Sequence, residues 1–267
     1  MQAARRLAKR AFRARERRFL AEGPQAVKEA LARHTGGRHT VHEMFVTSEA
    51  AARHADISGA AAAAGVAVHR VSGEVMSALT QTVTPQGIVA VCAFLDSPLA
   101  EMAPAAHRLV ALLAHVRDPG NAGTVIRTAD AAGADAVVLS GESVDPYNPK
   151  CVRASAGSIF HLPLVAGVGV EAAVVTLRER GLRVLAADGH GELDLDQVLD
   201  DGVLDGPTAW LFGNEAWGLP PATRDLADAV VRVPIHGHAE SLNLATAAAV
   251  CLYASARAQR LASKGRT

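Results

Sequence analysis

Cysteine is scarce in this 267-residue chain, and its three copies, Cys92, Cys151 and Cys251, lie far apart with no CxxC pair. That spacing argues against a disulfide framework and against a structural zinc, and it favours a reducing compartment. No charge-free apolar run reaches bilayer-spanning length, and the arginines near the start have no hydrophobic signal core behind them. The cytoplasm is the expected location, with no membrane partner. Also missing are a G-x-G-x-x-G turn after the first strand of the second half and a P-loop, so the sequence lacks the usual signatures of dinucleotide and nucleoside-triphosphate enzymes. The eleven histidines do not group at ligand spacing, except for His236 and His238 in a glycine loop, so no metal is expected.

What is present suits an ordinary globular protein. With 49% hydrophobic residues, the chain can bury a full core in one large domain or two modest ones. Net charge is zero, but it is unevenly spread: the first forty residues hold eleven Lys and Arg against three Glu, while acidic residues gather between Glu171 and Asp228. The basic end is the candidate polyanion surface, through Arg5, Arg6, Arg10, Arg13, Arg17 and Arg18. Hydrophobic periodicity predicts helices over residues 5–20 and 24–33, with Phe12, Phe19 and Leu20 as an apolar stripe on the first. Strands are predicted over 41–46, 66–71 and 87–94, with helices over 50–64 and near 73–78 between them. This makes a small α/β domain of residues 1–97, followed by a proline-containing linker at 98–106.

Residues 107–267 then alternate strand, loop and helix. Strands are predicted over 108–116, 136–139, 183–187, 208–212 and 229–235. Helices are predicted over 122–132, 149–156, 170–180 and from Ser241 onward. Such doubly wound sheets bind ligands at the carboxyl ends of their strands, so the loops following strands carry the interest. Three are unusual. The first holds Asn121 and Arg127, six residues apart; the second runs Gly213-Asn214-Glu215-Ala216-Trp217-Gly218; the third runs from Val233 through His236, Gly237 and Ser241 to Asn243. Each residue also has an ordinary structural explanation: a helix cap for Asn121, Ser241 or Asn243, a surface ion pair for Arg127, a loop carboxylate for Glu215.

Read together, Asn121-x-Gly-x-x-x-Arg127, Gly213-Asn-Glu215-x-x-Gly218-Leu and Pro234 through Ser241-Leu-Asn243-Leu resemble the three ordered motifs of SpoU/TrmH-type RNA 2′-O-ribose methyltransferases of the SPOUT superfamily. The phrases around Glu22-Gly23-Pro24 and Thr84-Pro85-Gln86-Gly87 resemble that family's N-terminal substrate-binding domain, and residues 154–163 resemble a further family segment. Ala216-Trp217 departs from the glycine often found after the motif glutamate.

The resemblance implies a Rossmann-like parallel sheet with a C-terminal trefoil knot, preceded by a small α/β RNA-binding domain. It implies S-adenosylmethionine as cofactor, bound by Leu211, Phe212, Gly213, Asn214, Gly218, Ile235, His236, Gly237, Ser241, Leu242 and Leu244. The reaction it implies is methyl transfer to a ribose 2′-hydroxyl, with rRNA favoured over tRNA as substrate. Arg127 would grip the phosphate beside the target ribose, since a guanidinium has no acceptor with which to act as a base. Asn121, Glu215, Ser241 and Asn243 would hold the parts in register. A homodimer through the catalytic half is expected, the apolar C-terminal helix meeting its mate. The alternatives are a tRNA enzyme of the same type, or a non-enzymatic ribosome-associated protein with a methyltransferase-like half.

Overall fold

The computed structural model describes residues 2–80, 82–102 and 108–264. The described residues fall into two compact units, one within Met1–Leu95 plus Asp145–His161, the other within Asp96–Val144 plus Leu162–Thr267. Of the expected linker, Leu99–Glu101 forms a short 3-10 turn, and residues 103–106 lie outside the described ones.

In the first unit, β1 (Arg18–Glu22), β2 (Val41–Val46), β3 (Ala67–Arg70) and β4 (Ile88–Ala93) form a sheet ordered β1-β4-β2-β3. β4 runs antiparallel to both neighbours, and β2 runs parallel to β3. The helix expected over residues 5–20 is instead two short helices, Gln2–Arg6 and Arg10–Glu16, followed by β1. Arg17 causes the change: at φ 52° and ψ 40° it takes the left-handed turn that ends a helix, and its amide bonds back to the Arg13 carbonyl. Phe19 and Leu20 therefore sit on a strand buried on both faces, not on a helix stripe. The alanine-rich helix expected over 50–64 is also divided, into Ser48–Arg53 and Ala55–Ala63, because His54 leaves helical geometry at φ −122° and ψ 53°.

Packing, not chain order, assigns Asp145–His161 to this unit, although the sequence division places it with 107–267. The Tyr147 ring stacks on Phe94 at 3.9 Å, and its hydroxyl accepts the Leu95 amide at 2.7 Å. Arg13 donates Nε and Nη2 to Asp145 Oδ2 at 2.9 and 2.6 Å, and its Nη1 donates to the carbonyls of Leu7 and Ala8. Its side chain is only 3% exposed. Arg13 thus leaves the set of polyanion-contacting arginines: it is an internal fastener, its charge already matched.

In the second unit, seven strands form one parallel sheet: β5 (Leu109–Leu113), β6 (Ala136–Ser140), β7 (Leu164–Val168), β8 (Arg183–Ala187), β9 (Leu193–Asp194), β10 (Thr208–Phe212) and β11 (Ala229–Arg232). Their order is β7-β6-β5-β10-β8-β11-β9, and all pairings are parallel. β7 and β9 are edge strands that the sequence did not announce. The first carries Gly167 at φ 80° and a register shift, and the second is two residues long. One sheet face buries Val110, Leu112, Val138, Val184 and Leu211 together with Val174 and Leu177 of the helix Val170–Glu179. On β10, Trp210 alternates with Leu211, and its indole donates to Ser255 Oγ at 2.8 Å on the long helix Leu244–Lys264.

Removing one member of a buried ion pair leaves its partner's charge uncompensated, typically at a cost of about 3–5 kcal/mol. Arg13→Ala should therefore lower stability by about that amount, read by calorimetry. Arg18→Ala, at an exposed position, should leave the melting temperature nearly unchanged.

Candidate active site

Three loops leave the carboxyl ends of β5, β10 and β11. Because Leu113 of β5 lies beside Phe212 of β10 in register, the first two loops start side by side. The first is drawn tight by His115 at φ 59°, whose carbonyl accepts Asn214 Nδ2 at 2.9 Å from the second loop. It then enters the helix Pro119–Ala132. The cap is Asp118, whose Oδ1 accepts the Asn121 amide at 2.8 Å, with Pro119 at the first helical position. Asn121 is consequently not the cap, and its side chain is available for other contacts.

Glu215 takes up that availability. Its Oε2 accepts the Arg117 amide at 3.2 Å, and its Oε1 accepts the Asp118 amide at 3.1 Å and Asn121 Nδ2 at 3.3 Å. Asn121 Oδ1 in turn accepts Asn243 Nδ2 at 3.1 Å. Asn243 also caps the last helix, its Oδ1 accepting the Ala245 amide at 2.9 Å. That helix begins at Leu244, so the start expected at Ser241 is corrected: Ser241 stands exposed, two residues before the cap, and joins none of these bonds. Asn121, Glu215 and Asn243, one from each motif loop, form a continuous chain of side-chain hydrogen bonds. Arg127 is exposed on the helix Pro119–Ala132, and among the described residues it has no hydrogen bond or ion pair.

The second loop is closed by a reciprocal backbone pair, Asn214 N to Gly218 O at 2.8 Å and Gly218 N to Asn214 O at 3.0 Å. A Cβ on Gly213 would stand 2.5 Å from the Gly218 carbonyl, so only glycine permits this closure. Leu211, Phe212, Gly213 and Asn214 are buried at the end of β10, with Gly218 half-buried. Ile235, His236, Gly237, Ser241 and Leu242 lie in an exposed loop, and Leu244 is half-buried at the start of its helix. Among the described residues, 233–242 make no backbone hydrogen bond, so this loop presents open amides and carbonyls beside the exposed apolar side chains of Ile235 and Leu242. Apolar cover plus free backbone groups is a donor set suited to a nucleoside.

Burial pushes the Cys92 thiol far up and the Cys251 thiol up to about 12, so neither offers a thiolate at neutral pH. Native protein at pH 8 should leave both unmodified by iodoacetamide in peptide mass mapping; rapid labelling of either would contradict their burial.

The SpoU rRNA methylase family matches residues 108–253, and an RNA 2′-O ribose methyltransferase substrate-binding family matches residues 20–98. The 23S rRNA (guanosine(2553)-2′-O)-methyltransferase of Bacillus subtilis is 36% identical over 88% of this chain and 87% of its own length. The chain belongs to the SpoU rRNA methylase family. It is an RNA 2′-O-ribose methyltransferase, and its methyl donor is S-adenosylmethionine. Among solved structures, the AdoMet-bound rRNA methyltransferase of Sinorhizobium meliloti superposes with a TM-score of 0.81 at 33% identity, over 96% of this chain and 93% of that one. The SpoU methyltransferase AviRb of Streptomyces viridochromogenes gives 0.82 at 28% identity, covering 97% of each chain.

The sequence reading assigned no part to Asp118 or His115, and it gave Asn214 to the cofactor without its tie between two loops. Asp118 carried a readable signal, an acidic residue immediately before Pro119. The roles of Asn214, which ties two loops, and of His115, whose Nδ1 pairs with Glu142, carried none, since both depend on partners distant in sequence. Gly213→Ala should cost about 1–3 kcal/mol by overpacking and weaken S-adenosylmethionine binding in calorimetry. Retention of wild-type affinity would show that the closure at Gly218 does not shape the pocket.

Proposed function

We propose that this methyltransferase modifies a ribose in 23S rRNA, with residues 107–267 as catalytic domain, 98–106 as linker and 1–97 as the RNA-binding domain. The observation that carries the role assignment is the hydrogen-bonded chain Glu215, Asn121, Asn243, which gathers all three motif loops. The rRNA substrate is supported by the likeness to the Bacillus subtilis enzyme, which acts on 23S rRNA.

S-adenosylmethionine supplies an electrophilic methyl group when bound. The backbone of residues 211–213, 235–237 and 242–244 would hold its nucleoside, Gly213 and Gly218 leaving room, while Ile235 and Leu242 cover an apolar face. A ribose 2′-hydroxyl is a weak nucleophile, so the chain's own residues must orient it and offset the charge that develops on its oxygen. Arg127 takes that part. Exposed and unpaired among the described residues, its guanidinium is available to a phosphate in a two-pronged contact and to the neighbouring 2′-oxygen. Its own proton stays in place, and the hydroxyl proton leaves to phosphate or water. Ser241 lies beside the substrate in this scheme and is not part of the fixed hydrogen-bonded chain.

RNA contact extends to the first unit through Arg5, Arg6, Arg10, Arg17 and Arg18, all exposed. Arg6 lies over the Phe12 ring at 5.6 Å and Arg17 over the Phe94 ring at 4.7 Å, so the planes that would meet RNA are already braced. Partial burial, and then Arg18, lower the pKa of His42 below the usual histidine value, which favours its neutral form. The protein would act as a cytoplasmic homodimer: Val250, Tyr253 and Leu261 leave an exposed apolar stripe on the helix Leu244–Lys264. The threaded C-terminal half belongs to the same proposal, with no metal required.

Mapping alkali-resistant positions in 23S rRNA from cells with and without the protein tests the substrate; an unchanged rRNA pattern with a changed tRNA would move it to tRNA. Arg127→Ala should keep S-adenosylmethionine affinity within about twofold and lose about 100-fold or more in transfer rate. A fully active Arg127→Ala enzyme would overturn its assigned role.

A further inference from the structure

A cleft of about 320 Å³ in the first unit is lined by Glu22, Thr80, Thr82, Gln86 and Arg153. Three phrases that the catalytic scheme leaves unused meet there: the one around Glu22-Gly23, the one around Thr84-Pro85-Gln86, and the segment following Arg153 that contributes Ala156. Glu22 is the unusual member. Its side chain is 5% exposed, and its Oε2 accepts Arg153 Nη1 at 2.9 Å. Its other oxygen, Oε1, is buried and has no hydrogen-bond partner among the described residues. A buried carboxylate oxygen left without a donor is costly, and such an atom beside a polar cleft marks a place where a donor is expected.

The chemistry around it narrows the donor. A phosphate would meet the Glu22 carboxylate and be repelled, so the ligand is neutral where it faces Glu22. Arg153 has N–H groups beyond the one given to Glu22, and Gln86 is exposed with no hydrogen bond among the described residues. The cleft therefore offers a carboxylate with lone pairs left for two N–H donors, beside a donor from Arg153 or Gln86. Among RNA bases, guanine has the matching edge, with N1–H and the N2 amino group as adjacent donors next to O6 as acceptor. The volume lies at the small end of ligand pockets, suited to one splayed-out nucleotide and not to a duplex.

We propose that this cleft receives an unpaired guanine of the RNA substrate, with Glu22 taking its N–H donors and Arg153 or Gln86 donating to O6. The proposal rests on the reading of the first unit as the RNA-binding part. It makes Glu22 and Gln86 specificity residues distant in sequence from the catalytic loops.

The test uses the full-length protein and a short single-stranded oligouridine RNA with one central guanosine, compared with the same RNA carrying inosine or adenosine there. Binding is followed by calorimetry, and ¹⁵N side-chain signals of Arg153 and Gln86 are followed by NMR. The guanosine RNA should bind about tenfold more tightly than either analogue and should move those two signals. Glu22→Gln and the fold-neutral Gln86→Ala should each remove most of that preference while leaving S-adenosylmethionine affinity unchanged. Equal binding of all three RNAs, or unmoved Arg153 and Gln86 signals, would refute the proposal. So would a Glu22→Gln protein that melts earlier yet keeps the preference, which would make the Glu22–Arg153 pair a fastener alone. Methyl transfer to rRNA by the same wild-type preparation is measured in parallel: transfer without guanine preference sinks only the cleft, whereas absence of transfer sinks the functional reading itself.

Discussion

The carboxylate of Glu215 is the constraint on which the loops of the second unit depend. It lies on a loop with no regular structure, and it accepts two backbone amides that precede the helix Pro119–Ala132 together with the side chain of Asn121. The amide-rich start of a helix is where a negative charge is most favoured, because unpaired N–H groups and the positive dipole end lie there. The loop after β10 is thereby fixed to the loop after β5, and Asn121, fixed in turn, presents its carbonyl oxygen to Asn243. One ionised group orders three segments that are far apart in sequence. A neutral amide in its place would present donors where donors already crowd.

This arrangement is available only because the strand order reverses between the parallel strands β5 and β10. The strands after β5 build outward through β6 to β7, and the chain then returns to place β8 and β11 on the far side of β10. Adjacent carboxyl ends whose connections diverge leave a crevice between them. Trp210 holds the last helix against β10 through its bond to Ser255, and Gln259 of the same helix donates to the carbonyls of Arg108 and Gly206 at the opposite end of the strands. A helix anchored deep in its middle and toward its carboxyl end presents its capped amino end, Asn243, to the crevice with little freedom.

Much of this was legible. β5 and β10 are short apolar runs, and the motif loops could be read by their order. What failed to show in the sequence shares a cause, partners remote along the chain. Arg13 reads as one arginine among many until Asp145 is placed beside it. Residues 18–20 read as helix until Arg17 turns left-handed and β4 pairs with the strand. Asn121, Ser241 and Asn243 all read as possible caps; the structure gives the duty to Asp118 and Asn243 alone, and the difference matters because a capping side chain is spent. Asn243 does both by dividing its amide, oxygen to the helix and nitrogen to Asn121.

The contrast between Glu215 and Arg127 follows from the same electrostatics. Glu215 already accepts three protein donors, so most of its capacity goes to holding the loops together. Arg127, exposed and without a partner among the described residues, organises nothing within the protein and keeps its five N–H groups for whatever arrives. An arginine already paired to a carboxylate would have to break that pair before gripping a phosphate. A free one incurs only the loss of its hydration, which the phosphate's charge offsets. For a polyanionic substrate the proposed division suits the charges: the Glu215 carboxylate is used for architecture, and the Arg127 guanidinium is left for the RNA. On the role proposed for Arg127, site completion depends on the substrate, and transfer should be confined to hydroxyls that come with a phosphate at the right distance, a selectivity for RNA backbone over free nucleoside that needs no base contact at all.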